Sequence, residues 1–140
     1  MKSDSDVKRV LTDDGLDPNA LNIFHKFENY TTVSLEMLRE SLGMSSWAVR
    51  IAYNDRFGGV VIQQQPGEGN RKHFHPHADE NWVILDGEWE WWIEGKGTQR
   101  VKENDIIVVP AKVRHQITCV GDKVGVRYAI TKPDVEHIYG

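Results

Sequence analysis

The sequence predicts an all-β protein, a small barrel or sandwich of short strands behind a short helical N-terminal segment. Three observations predict it. Beyond Trp47 the chain divides into short runs rich in Val, Ile, Trp and Tyr. Turn residues separate those runs at close intervals, among them Asn54-Asp55, Gly58-Gly59, Pro66-Gly67, Asp86-Gly87 and Gly121-Asp122. Helical spacing of apolar residues is confined to the part before residue 47.

At 140 residues the chain is long enough for one domain with a proper core. Its 39% hydrophobic and 27% charged residues are ordinary for a soluble globular protein. A net charge of −4 with no basic stripe argues against nucleic acid as a partner. One cysteine excludes an intrachain disulfide framework and suits a reducing compartment. There is no apolar run of membrane-spanning length, and Met1-Lys2-Ser3-Asp4-Ser5-Asp6 lacks the apolar core of a signal peptide. The expectation is a cytoplasmic protein with no membrane partner.

In chain order, residues 1–16 are rich in Asp, Lys and Ser and read as a mobile or loosely docked arm. Asp17-Pro18 opens a helix, Asp17 as cap and Pro18 in the first turn, with Leu21, Phe24 and Phe27 on one face. Ser34 starts a second helix over Leu35 to Leu42, and Gly43 stops it. The segment 1–46 is therefore a helical cover and not a separate domain; 47–140 form the barrel. Strands are expected at about 47–53, 58–65, 71–75, 79–86, 88–95, 98–103, 105–109, 115–120 and 124–131. In Glu88-Trp89-Glu90-Trp91-Trp92-Ile93-Glu94, Trp89, Trp91 and Ile93 alternate with glutamates and share a buried face. Trp92 falls on the polar face, and an exposed tryptophan there predicts a homodimer.

The chemistry is concentrated between Gly67 and Gly87. Three of the six histidines, His73, His75 and His77, fall within five residues. His73 and His75 flank one residue, so on an extended strand both imidazoles leave the same face, as a chelating pair requires. Pro76 ends the strand, and Glu80 can return to the same pocket after a short turn. Trp82 shares the face of Glu80 and is a candidate pocket wall that would contact substrate.

The spacing Gly67, five residues, His73, one residue, His75, four residues, Glu80, six residues, Gly87 resembles the first motif of the cupin superfamily. Asn104-Asp105-Ile106-Ile107-Val108-Val109-Pro110-Ala111-Lys112-Val113-Arg114-His115 resembles the second, with Pro110 and His115 in register. Asn104 and Lys112 depart from it, standing where the family usually has glycine, as does Cys119 where asparagine is frequent. The resemblance implies a cupin-type β-barrel (a double-stranded β-helix or jelly roll) in which His73, His75, Glu80 and His115 converge on one divalent transition metal, Fe, Mn, Ni, Co or Zn. His77, beyond the proline, would stand at the rim or support a ligand from behind. Resemblance to small single-domain cupins also implies that Gln64 points inward and that Tyr128 faces the metal as general acid or orienting donor, with Val126 and Ile130 above and below.

Arg50 and Tyr53 are further candidates for substrate binding, and Arg71, Lys72 and Arg127 could likewise receive an anion, although each also reads as a solvated strand residue. Cys119 reads as a buried, inert thiol. The function this pattern implies is a metal-dependent enzyme acting on a small polar metabolite, the ion serving as Lewis acid in an isomerase, cyclase or lyase. A non-haem Fe(II) dioxygenase and a non-catalytic small-molecule-binding protein are the alternatives.

Overall fold

The computed structural model describes residues 5–140. The first four residues of the expected arm, and with them most of the signal-peptide reading, lie outside the described residues. Helix α1 spans Ser5–Asp13, a 3-10 helix Pro18–Ile23, and α2 Leu35–Leu42. Ten strands follow: β1 (Trp47–Tyr53), β2 (Gly58–Gln64), β3 (Gly69–Phe74), β4 (Glu80–Asp86), β5 (Glu88–Ile93), β6 (Gly97–Lys102), β7 (Ile106–Val109), β8 (His115–Val120), β9 (Gly125–Thr131) and β10 (Ile138–Tyr139). They form two five-stranded sheets, β1-β2-β9-β4-β7 and β10-β3-β8-β5-β6, with every pair antiparallel. This is the two-sheet jelly roll expected of the fold.

Strand alternation builds the interior. On β4 Glu80, Trp82 and Ile84 are buried, and on β5 Trp89, Trp91 and Ile93. With Ile117, Cys119, Val109 and Ala129 they form the main cluster, which Leu11 and Phe24 of the N-terminal segment complete. A second cluster lies between β1, β2, β9 and α2, where Phe27, Leu38, Trp47, Val49, Val61 and Val126 meet. Helix α2 begins where Ser34 Oγ accepts from the Met37 amide at 3.0 Å and stops at Gly43, whose φ of 81° only glycine takes readily.

Three expectations need correction. Residues 5–13 are not a loose arm. Val7, Val10 and Leu11 recur at helical spacing and turn toward the barrel, while the carboxylates of Asp6, Asp13 and Asp14 bond to His137, Tyr139 and Arg71. Trp92 is half-buried, with the Lys72 ammonium 5.7 Å from its ring centre, rather than open to solvent. The most exposed apolar residues of the sheets, among the described residues, are instead Ile106 and Val108 on edge strand β7, 66% and 63% exposed. Strand β10 was not expected at all; its two residues pair with Phe74 and His73. The two departures from the glycine pattern do adopt glycine-like backbone, with φ of 75° at Asn104 and 69° at Lys112.

Candidate metal centre

His73 lies on β3, His75 just past its end, Glu80 opens β4 and His115 opens β8. Pairing of β3 with β8 sets His73 opposite His115, and the Lys112 amide donates to the His75 carbonyl at 2.8 Å, fastening the two loops together. One ligand atom from each of the four residues lies within 4.8 Å of all the others, and all four side chains are buried. The structure brings together the four residues that the sequence reading singled out as ligands.

The orientation of each ring follows from its backbone partner. Nδ1 of His73, His75 and His115 lies 2.7, 2.8 and 3.1 Å from the carbonyls of Arg71, Glu136 and Val113. A carbonyl only accepts, so Nδ1 carries the proton and the Nε2 lone pair faces the centre. Nε2 of His75 and of His115 then stand 3.1 and 3.0 Å from Glu80 Oε1, buried and without a hydrogen-bonded partner. A lone pair held that close to a carboxylate oxygen is repulsive unless a proton or a cation lies between them. Three imidazoles and one carboxylate, fixed from behind by hydrogen bonds, are the donor set that divalent transition ions accept, so these residues fit such an ion.

Without an ion, protons take part of its place. Burial disfavours the charged form of His73, and the neighbouring His115 adds to this, bringing His73 down to about 3. Burial acts the same way on His75 but is outweighed by Glu80, which raises it. Burial pushes Glu80 upward, yet His75 and His115 hold it well below the usual carboxylate range. Trp82 Nε1 also donates to Glu80 Oε1, at 3.1 Å.

A cavity of about 70 Å³ adjoins the centre, reaching His73, Glu80 and Trp82. Val7, Val10 and Leu11 of α1 form part of its wall, and Arg50, Tyr53 and Asn70 supply polar lining. Arg50 donates to Glu28 at 2.9 Å and its guanidinium lies 3.4 Å from the Tyr53 ring centre, while the Tyr53 hydroxyl donates to Asp134 at 2.6 Å.

The remaining candidates fall elsewhere. Gln64 is buried and inward, but its Oε1 accepts from Arg127 Nη2 at 2.8 Å and it does not line this cavity. Tyr128 lies on the opposite face of β9, packed on the second cluster with Val126, not at the metal centre. Arg127 takes the inward position: it is fully buried, 4.7 and 5.2 Å from the rings of Trp82 and Trp89, and burial lowers it to about 9. His77 is exposed on the turn before β4, whereas Cys119 is buried. Arg71 and Lys72 are exposed.

One imidazole at the site carried no motif. His137 lines the cavity, its ring centre 5.2 Å from that of His73 and 4.5 Å from that of His75. Asp6 Oδ2 accepts from both its Nδ1, at 2.7 Å, and its backbone amide, at 2.8 Å. Burial raises Asp6, but the bonds from His137 and Arg9 prevail and hold its carboxyl well below the ordinary range. The one available signal was the apolar stripe of Val7, Val10 and Leu11, which would have docked Asp6 beside the barrel mouth.

Fold and centre together define a two-sheet β-barrel with an interior set of three histidines and one glutamate able to hold a divalent ion. Residues 60–132, just over half the chain, match the family of the Cupin domain, and the chain belongs to that family. It is 28% identical over 75 residues to polyketide synthase CurC of Streptomyces cyaneus, covering 54% of this chain but only 47% of that protein. An uncharacterized conserved protein with a double-stranded β-helix domain from Klebsiella pneumoniae superposes with a TM-score of 0.67 at 17% identity, over 79% of this chain and 91% of that one. The polyketide cyclase RemF of Streptomyces resistomycificus does so with a TM-score of 0.58 at 16% identity, over 69% and 72%. At these identities the structural likeness speaks for the fold alone.

Proposed function

We propose that this cupin is a metal-dependent enzyme acting on a small oxygenated metabolite without net redox change, by isomerisation, cyclisation or lyase-type cleavage. The carrying observation is the convergence of three imidazoles and Glu80 within 4.8 Å beside a cavity. A divalent ion bound there supplies Lewis-acid stabilisation of negative charge developing on a substrate oxygen. His73, His75, Glu80 and His115 hold it, with their Nδ1 bonds fixing the rings in advance. Trp82 and the α1 side chains wall the cavity against water, and Arg50 and Tyr53, each already paired, shape its polar side. The names of two similar proteins, a polyketide synthase and a polyketide cyclase, support the cyclase member of this set. Apolar lining by Val7, Val10, Leu11 and Ile62 supports a substrate less polar than the metal ligands alone suggest.

A cytoplasmic homodimer belongs to the same proposal, supported by exposed Ile106 and Val108 on β7. Sedimentation velocity tests it, and a monomer at micromolar concentration rejects it. For the catalytic reading, metal analysis should find roughly one divalent ion per chain, reduced about tenfold or more in His115→Ala with the β-rich circular dichroism retained. Turnover of cyclisable polyketone or enolisable hydroxyketone substrates should require that ion and consume no oxygen. Oxygen uptake coupled to turnover would instead identify a dioxygenase.

A further inference from the structure

His137 reaches the cavity from outside both histidine motifs, and its environment is unlike that of the four ligands. His75 and His115 turn Nε2 toward Glu80 and His73 brings a ring nitrogen to the same cluster, whereas His137 lies beyond that cluster, whose donor atoms are mutually within 4.8 Å. Its Nδ1 is committed to Asp6, and Arg9 Nη2 donates to its carbonyl at 3.2 Å, so ring and backbone are both held by α1. Among the described residues none hydrogen-bonds to its Nε2. Other polar groups on the same cavity are already engaged: Arg50 donates to Glu28, Tyr53 to Asp134 and Asn70 to Asp14. With Nδ1–H given to Asp6, Nε2 is the ring nitrogen left to meet a ligand.

The structure assigns His137 as a substrate-binding residue: its Nε2 accepts a hydrogen bond from a ligand hydroxyl that lies beyond the oxygens facing the metal ligands, and Asp6 is the positioning residue that fixes the ring for this. Resting on the metal-dependent reading above, it narrows the substrate to a compact, partly apolar molecule that carries a free hydroxyl close to the oxygen atoms facing the metal ligands. The apolar body sits against Val7, Val10 and Leu11, so the helix that walls the cavity also sets its polar contact. Two functions meet in one element: Asp6 orients the acceptor, and the next turn of α1 supplies the apolar wall.

The test uses zinc-loaded full-length protein, kept anaerobic, and three probes that differ at one position: catechol, pyrogallol and 3-methoxycatechol. Vicinal oxygens of each can meet the ion; only pyrogallol adds a hydroxyl donor. Calorimetric titration should show pyrogallol binding about tenfold more tightly than the other two, the worth of one additional hydrogen bond. His137→Phe should keep its full complement of zinc and lose that preference. Asp6→Ala should lose most of it, and Asp6→Asn, which retains a carbonyl oxygen acceptor, should restore it. Asp6→Ala gives the same reading where His137→Phe disturbs folding. The assignment is overturned by equal affinities in the wild type, by an unchanged preference in His137→Phe, or by a gain for 3-methoxycatechol, which would make the ring a donor. Loss of zinc from His137→Phe would make it a metal ligand and also overturns the assignment. Absence of zinc from the wild type would defeat the metal-dependent reading itself, a separate result.

Discussion

His73, His75 and Glu80 share one small volume, yet their proton affinities are driven apart in a way that predicts how the metal-free protein responds to acid. Burial first, and His115 second, bring His73 to about 3, below its unfolded value of 6.5. A group with a depressed folded pKa stabilises fully above the unfolded value and loses that contribution as pH falls. His75 has the opposite sign: burial lowers it, Glu80 more than compensates, and its contribution is complete below 6.5 and lost at higher pH. Glu80 is held down, so its loss begins only below about 4.5. The window from pH 6.5 to 4.5 therefore belongs to His73. Urea unfolding of chelator-treated protein should show about 2–3 kcal/mol less stability at pH 4.5 than at pH 6.5. His73→Asn should flatten that slope. A slope unchanged in the variant would remove His73 as its source.

Strand β3 delivers the ligands only while it keeps its pairing with β8, and Gly69 shows how tight that pairing is. A Cβ at Gly69 would lie 1.8 Å from the Ile117 carbonyl oxygen, a backbone atom that cannot move aside without shifting β8. Gly69→Ala should cost about 3 kcal/mol in chemical denaturation and lower zinc content with it, because His73 faces His115 across the same two strands. Retention of both stability and metal would show that the register does not carry the site. Register is also where sequence reading reached its limit. Elements from β1 to β9 were legible because β-branched and aromatic runs alternate with turn residues, and the four ligands because their spacing constrains two hairpins. The facing of β9 was not, since one strand does not say which partner residue stands opposite. Tyr128 pairs with Val61 and Arg127 with Ile62, so the arginine points inward and the tyrosine outward. A planar, weakly hydrated guanidinium held over the rings of Trp82 and Trp89 and bonded to Gln64 tolerates that burial, which a charge-based reading assigns to solvent. Helix α1 and β10 escaped for a different reason. The docking of both rests on contacts with each other and with β3, from Asp6–His137 to Tyr139–Asp13, which no local pattern encodes, and the apolar stripe of Val7, Val10 and Leu11 marked only the helix itself.

Across the whole molecule the centre joins the two sheets. Glu80 belongs to the sheet β1-β2-β9-β4-β7, whereas His73 and His115 belong to β10-β3-β8-β5-β6. An ion bound by all four residues is therefore a cross-link between layers otherwise held by apolar packing, and it binds a geometry the unfolded chain lacks. Free ion at a hundred times its dissociation constant adds about 2.7 kcal/mol to folding, which for a domain of this size raises the midpoint of thermal unfolding by about 10 °C. Stripping zinc with a chelator should lower the midpoint of the wild type by that amount and leave Glu80→Ala where it was. Hydrogen exchange should place the loss at β3, β4 and the start of β8, the strands that carry ligands, and spare the β1–β2 pair under α2. A wild-type melt that ignores the chelator, from protein shown to carry zinc beforehand and to have lost it, would mean that the unfolded chain binds the ion as well as the fold does and that the site adds nothing to folding.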